Sequence, residues 1–174
     1  MSVALPAGRV PNGLFGTVLV IGAESTLFCG LLAAWVVLRS QYSNWPPLGQ
    51  PRLPVAATAF NTGVLIASAL VLEHAWARRQ HRRLRWTLAL GGAFLLLQGR
   101  EWLALARHGL AMDQSPYAAL FTTILAAHAL HVGAGLVAVG LALRGDRADF
   151  SATRAWWWFV VGLWPVIYAL VYLW

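Results

Sequence analysis

The stretch Gly13–Leu38, GLFGTVLVIGAESTLFCGLLAAWVVL, decides how this chain is read. It is an apolar run with a single acidic or basic residue, Glu24. At about 1.5 Å of rise per residue, a helix of this length crosses the hydrocarbon of a bilayer. Glu24, about a dozen residues from either polar end, then falls near the midplane. A carboxylate at that depth costs at least about 3 kcal/mol, so it has to be neutralised, paired or turned to the interior of a helix bundle. The candidate partners are His128 and His131, far along the chain.

The remainder of the 174 residues fits that reading. Apolar residues make up 59% and charged residues 11%, with a mean hydropathy of +0.63. This is the composition of an all-α, polytopic membrane protein with little mass outside the bilayer. A net charge of +7 invites a nucleic-acid partner. That partner is excluded, because all 13 basic residues are Arg concentrated in short loops, where membrane topology places them. Cys29 is the lone cysteine and lies inside an apolar run, so no intramolecular disulfide can form. The opening MSVALPAGRVPNG lacks a basic region followed by an apolar core, and no cleaved signal peptide is expected.

Five apolar segments are long enough to span, at roughly 13–38, 54–77, 84–106, 116–143 and 154–174, within a single transmembrane domain over 1–174. The loop from Arg39 to Pro54 carries four prolines, which exclude a helix interior, and Trp45, a ring suited to the membrane interface. The loop from Arg78 to Arg85 holds five Arg and one His in eight positions. Taken as cytoplasmic, it puts nine Arg inside (with Arg9, Arg144, Arg147 and Arg154) against Arg39, Arg52 and Arg107 outside. The expected topology is N-in, C-out. Short loops make helices two to five up-down neighbours. Gly91, Gly92, Ala129, Gly133 and Gly140 would let them approach closely.

The polar residues at depth are few. Asn61, Thr62 and Ser68 read as interhelical hydrogen-bond glue. Glu73 and His74 lie within a turn of the Arg cluster and read as solvated interface. Gln98 and Glu101 share a face of the third helix, with an ion pair from Glu101 to Arg39 or Arg52 open to it. Arg100 points elsewhere and can snorkel to outer headgroups. His128 and His131 share a face of the fourth helix at the depth of Glu24. The least costly arrangement is a hydrogen bond from Glu24 to one of the two imidazoles. Two His and one Glu would also begin a metal shell, but no second carboxylate or Cys completes it. Two His on one face of one helix cannot sandwich a haem. No phosphate-binding loop, nucleophile elbow, C-x-x-C or H-E-x-x-H is present, and no active site that this chain could build alone is legible.

Four motifs in order carry a resemblance. They are Ile21–Phe28 (IGAESTLF), Leu53-Pro54 followed by Asn61-Thr62, Gln98-x-x-Glu101-Trp102, and His128-x-x-His131-Val-x-x-Gly135 after Tyr117. With them the chain resembles subunit III of haem–copper respiratory oxidases, in the short five-helix bacterial form, over roughly 13–174. The fifth helix departs from that pattern, with Trp158 where the family has His and Val161 where it has Asp.

The resemblance implies a V-shaped bundle whose cleft holds structural phospholipids. It implies packing against a haem-bearing subunit I, with subunit II in the same complex, in a bacterial inner (plasma) membrane. Haem and copper would belong to those partners and no redox metal to this chain. The implied role is accessory to a proton-pumping cytochrome c or quinol oxidase: stabilising subunit I, supporting proton uptake and guarding against turnover inactivation. Glu24, His128 and His131 would form the buried polar centre, Asn61, Gln98 and Glu101 polar packing positions, and Trp35, Trp102 and Arg100 lipid contacts. The altered fifth helix also fits an accessory subunit of a nitric oxide reductase. A small haem-b membrane anchor or a transporter subunit is the alternative from another class.

Overall fold

A computed structural model describes residues 12–78, 80–144 and 150–174. Arg9, Arg79 and Arg147, three of the nine arginines assigned to the inner side, lie outside the described residues. Five helices follow one another: α1 (Asn12–Ser40), α2 (Val55–Ala77), α3 (Leu84–Arg107), α4 (Pro116–Ala142) and α5 (Phe150–Ile167). A 3₁₀ turn at His81–Arg83 leads into α3, and a wider π-helical turn, Tyr168–Leu173, continues α5.

The breaks between helices follow local chemistry. Pro54 stands directly before α2, and the chain bonds back from Thr58 N–H to the Pro54 carbonyl at 3.0 Å. α3 ends in a left-handed residue, Gly109 (φ 96°), and Leu110 N–H reaches back to the Leu105 carbonyl at 3.0 Å. Ser115, extended at φ −163° and ψ 157°, caps α4 by accepting from Ala118 N–H, and Pro116 occupies the first turn, where its missing N–H costs nothing. α5 starts at Phe150, ahead of Arg154, where the apolar run alone would begin it. Phe150 is buried and stacked on Trp76 of α2 with ring centres 5.0 Å apart.

Helices α2, α3, α4 and α5 close into a ring in which each packs on the next and α5 returns to α2. α1 lies outside the ring, against α4 and α5. Among the described residues four helices are long and apolar enough to cross a membrane: α1, α2, α4 and the helix Phe150–Leu173. α3 carries Arg85, Gln98, Arg100, Glu101 and Arg107, which lower its hydropathy.

Lipid tails are as apolar as leucine, so packing and internal hydrogen bonds hold such helices together. Trp157 shows both. It is fully buried on α5, and its indole lies in a slot made by two glycines on neighbouring helices. A Cβ on Gly91 of α3 would meet Trp157 Cη2 at 2.8 Å, and one on Gly135 of α4 would meet its Cε3 at 2.7 Å. The indole N–H donates to Ser68 Oγ of α2 at 3.2 Å. One side chain therefore touches the other three helices of the ring. Of the small residues expected to allow close approach, Gly91 does so. Around a Cβ on Gly92, Gly133 or Gly140 there is no heavy atom within 4 Å, because these glycines turn away from the interhelical seams.

The wide turn at the end of α5 has a specific consequence. Trp174 N–H bonds to the carbonyl of Ala169, five residues back, rather than to that of Leu170. The released Leu170 carbonyl accepts the indole N–H of Trp35 on α1 at 3.0 Å. Trp35 is thus fully buried among Trp45, Tyr117 and the end of α5. Its expected place on a lipid-lined cleft is corrected: the ring is part of the seam that holds α1 to the bundle.

Candidate functional site

Two polar groups lie in the bundle, and the helices bring them together from distant parts of the chain. The first joins α1 to α4. Glu24 Oε2 is 3.0 Å from His131 Nε2, with the side chains 29% and 13% exposed. His131 Nδ1 lies 2.6 Å from the carbonyl of Ala127, one turn back on its own helix. A carbonyl only accepts, so Nδ1 carries a hydrogen, and a single further proton lies between Nε2 and the carboxyl group. Either assignment of that proton leaves the pair neutral as a unit. Trp156 of α5 stacks on the imidazole at 5.6 Å and 12°, and its N–H donates to the His131 carbonyl at 3.2 Å. The edge of Phe28 closes the other side at 5.2 Å. Ser25, next to Glu24, bonds to its own helix at the Ile21 carbonyl (2.7 Å).

His128 does not join this pair. One turn nearer the start of α4, it is buried and stacked on Trp164 at 4.8 Å and 28°, with Phe94 edge-on at 6.1 Å.

The second group joins α2, α3 and the end of α5. The two N–H bonds of Asn61 go to Gln98 Oε1 (3.2 Å) and Glu101 Oε1 (3.1 Å). Thr58 Oγ1 donates to Glu101 Oε2 at 3.1 Å, and Gln98 Nε2 donates to the hydroxyl of Tyr172 at 3.1 Å. Thr62 accepts the indole N–H of Trp164 at 2.9 Å. Glu101 is therefore held by neutral donors, and the ion pair to Arg39 or Arg52 open in the sequence is not made. Arg39 instead places its guanidinium over the rings of Trp45 (5.1 Å) and Trp174 (4.9 Å). Arg100 is exposed on α3, and Trp102 is half-buried beside Gln98 and His128.

Sequence reasoning missed a third contact. Glu73, read as solvated, accepts two hydrogen bonds from Arg154 of α5, each 2.7 Å, and a third from the indole N–H of Trp158 at 3.0 Å. The guanidinium also lies 5.6 Å from the Trp76 ring. His74 stays exposed. The available signal was the spacing of Arg154 and Trp158, four apart, which puts a guanidinium and an indole N–H on one face of α5.

Among the described residues no group of three or more His, Cys, Asp or Glu could hold a metal ion. The fold and the site define a class: a polytopic helical membrane protein whose interior carries an acid–imidazole pair and an amide–carboxyl seam. No family model matches the chain. It is 30% identical over 177 aligned residues to cytochrome c oxidase subunit 3 of Synechocystis sp., covering 92% of this chain and 75% of that one. It is 28% identical to cytochrome c oxidase subunit 3 of Thermostichus vulcanus, covering 92% and 86%. It is 30% identical to the probable cytochrome c oxidase subunit 3 of Nocardia farcinica, covering 90% and 85%. This chain belongs to the cytochrome c oxidase subunit 3 family.

Proposed function

We propose that the chain acts as the accessory subunit of a haem–copper terminal oxidase, taking part in oxygen reduction only inside that complex. The observation that carries this reading is the relationship over nine-tenths of the chain to proteins named cytochrome c oxidase subunit 3. The internal chemistry agrees with it. Both nitrogens of His131 are engaged, by Ala127 and Glu24, and Glu101 is held by Thr58 and Asn61. These groups brace helices and leave little free to act on a substrate.

The chain is one transmembrane domain of five spans, N-in and C-out, in a bacterial inner membrane. α3 crosses with the others because the links to α2 and α4 are short and both neighbours are long enough to span. The excess of Arg beside the α2–α3 link supports the orientation. Haem and copper reside in subunit I and its partner subunit II. The V-shaped opening corresponds to a groove of about 520 Å³ between the first half of α1 and the α4–α5 pair. Gly13, Gly16, Val20, Ala134, Ala138 and Trp156 line it, a small and apolar wall that suits a phospholipid acyl chain. Arg100 and Trp102 on α3 are further lipid contacts. The Glu24–His131 pair, neutral and sharing one proton, supports proton uptake by the neighbouring subunit without entering the oxygen chemistry.

Copurification tests this. An affinity tag on this chain should bring down a haem-bearing polytopic partner, with the reduced α-band following that partner. The chain stripped of its partners should have no α-band of its own. Purification alone with an intrinsic haem spectrum, or with a transporter instead, would overturn the proposal.

A further inference from the structure

Positive charge collects without a counter-charge at the end of the bundle away from the α2–α3 link. Arg39 lies in the last turn of α1, Trp45 and Arg52 stand on the α1–α2 link, Tyr117 opens α4, and Trp174 follows the π-helical turn. Together they line one open pocket of about 260 Å³. No Asp or Glu lines it, and among the described residues no carboxylate pairs with either guanidinium. Among the same residues, neither guanidinium nor the indole N–H of Trp45 or Trp174 donates a hydrogen bond.

The pocket is organised around Arg39. Its guanidinium lies over the rings of Trp45 and Trp174. A guanidinium held against aromatic faces keeps its in-plane N–H donors for another partner. Trp45 is fixed in turn, edge-on to the buried Tyr117 ring at 4.9 Å and to Trp35 at 5.2 Å. Arg52 brings a second positive charge from the far side of the α1–α2 link. The site is thus rich in donors, poor in acceptors and unbalanced in charge, which selects an anion.

We propose that this pocket binds a phosphate group between Arg39 and Arg52, carried by a phospholipid headgroup or free in solution. Guanidinium matches two phosphate oxygens at once, and the remaining oxygens are left for the second Arg and the indole N–H groups. At about 30 Å³ for each water molecule, the volume equals roughly eight waters, enough for a phosphate and its nearest substituent. The end of a membrane-spanning bundle is also the level of the headgroups, where tryptophans gather. The site is separate from the groove between α1 and the α4–α5 pair, with which it shares no lining residue.

The test needs no turnover and does not depend on the oxidase assignment. The protein is purified from its own membrane with the subunits it holds and exchanged into a phospholipid-free detergent. Its unfolding midpoint is followed against inorganic phosphate and, separately, against dioctanoyl-phosphatidylglycerol, with sodium chloride of equal ionic strength as control. A saturable rise above the control is expected. A rise with inorganic phosphate assigns a soluble ion, and a rise with the lipid alone assigns a headgroup. Arg39→Gln and Arg52→Gln should each raise the half-saturating concentration by about tenfold or more. Arg52 is exposed and makes no hydrogen bond or ion pair among the described residues, so its loss leaves the fold intact and reads binding alone. No rise above chloride with either probe, or a smaller shift in either variant, would overturn the proposal. So would an acidic side chain of a partner subunit seated between the two arginines in a structure of the complex.

Discussion

Substitution of Glu24 separates a true donor–acceptor pair from two groups that merely lie close. The Ala127 carbonyl fixes the hydrogen on His131 Nδ1, so the 3.0 Å contact at Nε2 holds one proton between imidazole and carboxyl. Glu24→Gln keeps a donor there, since an amide N–H can point at the bare Nε2 of a neutral ring. It should cost under about 1 kcal/mol. Glu24→Ala keeps nothing. Nε2 becomes a lone acceptor on a side chain 13% exposed, at a depth where that exposure meets lipid or protein rather than water. The expected loss is about 1–3 kcal/mol, or roughly 2–12 °C in the unfolding midpoint of a chain this size. Adding His131→Phe to Glu24→Ala should recover part of the loss, because the unpaired acceptor is removed. Thermal unfolding of the purified complex reads all three variants, and initial oxygen uptake of Glu24→Gln should match wild type. Equal destabilisation by Gln and Ala would refute the shared-proton bond. Abolished turnover in an intact Glu24→Gln complex would refute the accessory role.

Further substitutions test the rest of the bundle. Gly135→Ala puts a methyl 2.7 Å from Trp157 and should cost about 1–3 kcal/mol, whereas Gly133→Ala, which meets nothing within 4 Å, should stay within about 0.5 kcal/mol; thermal melts in one detergent compare them directly. Asn61→Asp replaces two donors by acceptors facing Gln98 and Glu101, and should destabilise the chain by roughly 3 kcal/mol or more, beyond the effect of Asn61→Leu, in the same assay. Arg154→Gln breaks the bidentate contact with Glu73, whose partners are 35% and 39% exposed. The loss should therefore be at most about 1 kcal/mol and should shrink in high salt.

Much of this arrangement is written in local spacing. Gln98 and Glu101, three apart, face one way on α3, and Asn61 bonds both. Glu24 at mid-depth called for a partner at the same depth on another helix, and the two imidazoles on α4 were the candidates. Which imidazole meets α1 was not legible, because a spacing of three sets the shared face and not the line along which α1 crosses it. Trp35 misled for a similar reason. An aromatic residue on the least covered helix reads as lipid-facing, and its burial depends on a carbonyl released only when α5 widens after Ile167. Glu73 beside an arginine cluster reads as solvated. Its partner, Arg154, is 81 positions away in the chain, and only packing of α2 on α5 joins them.

The indoles explain how such a chain holds together. Burial of apolar surface does little to associate helices already in lipid, whereas a tryptophan offers broad packing and one donor that must be satisfied. Trp35, Trp156, Trp157, Trp158 and Trp164 each donate to a different acceptor: the Leu170 and His131 carbonyls, Ser68, Glu73 and Thr62. Four of the five start on α5, the helix that touches α1, α2 and α4. Trp158 is informative in this respect. It stands where related chains are expected to carry a histidine, yet it still presents an N–H to the carboxylate of Glu73. The Trp158 indole therefore adds a third hydrogen bond to Glu73 beside the two from Arg154, and the three together tie α5 to α2.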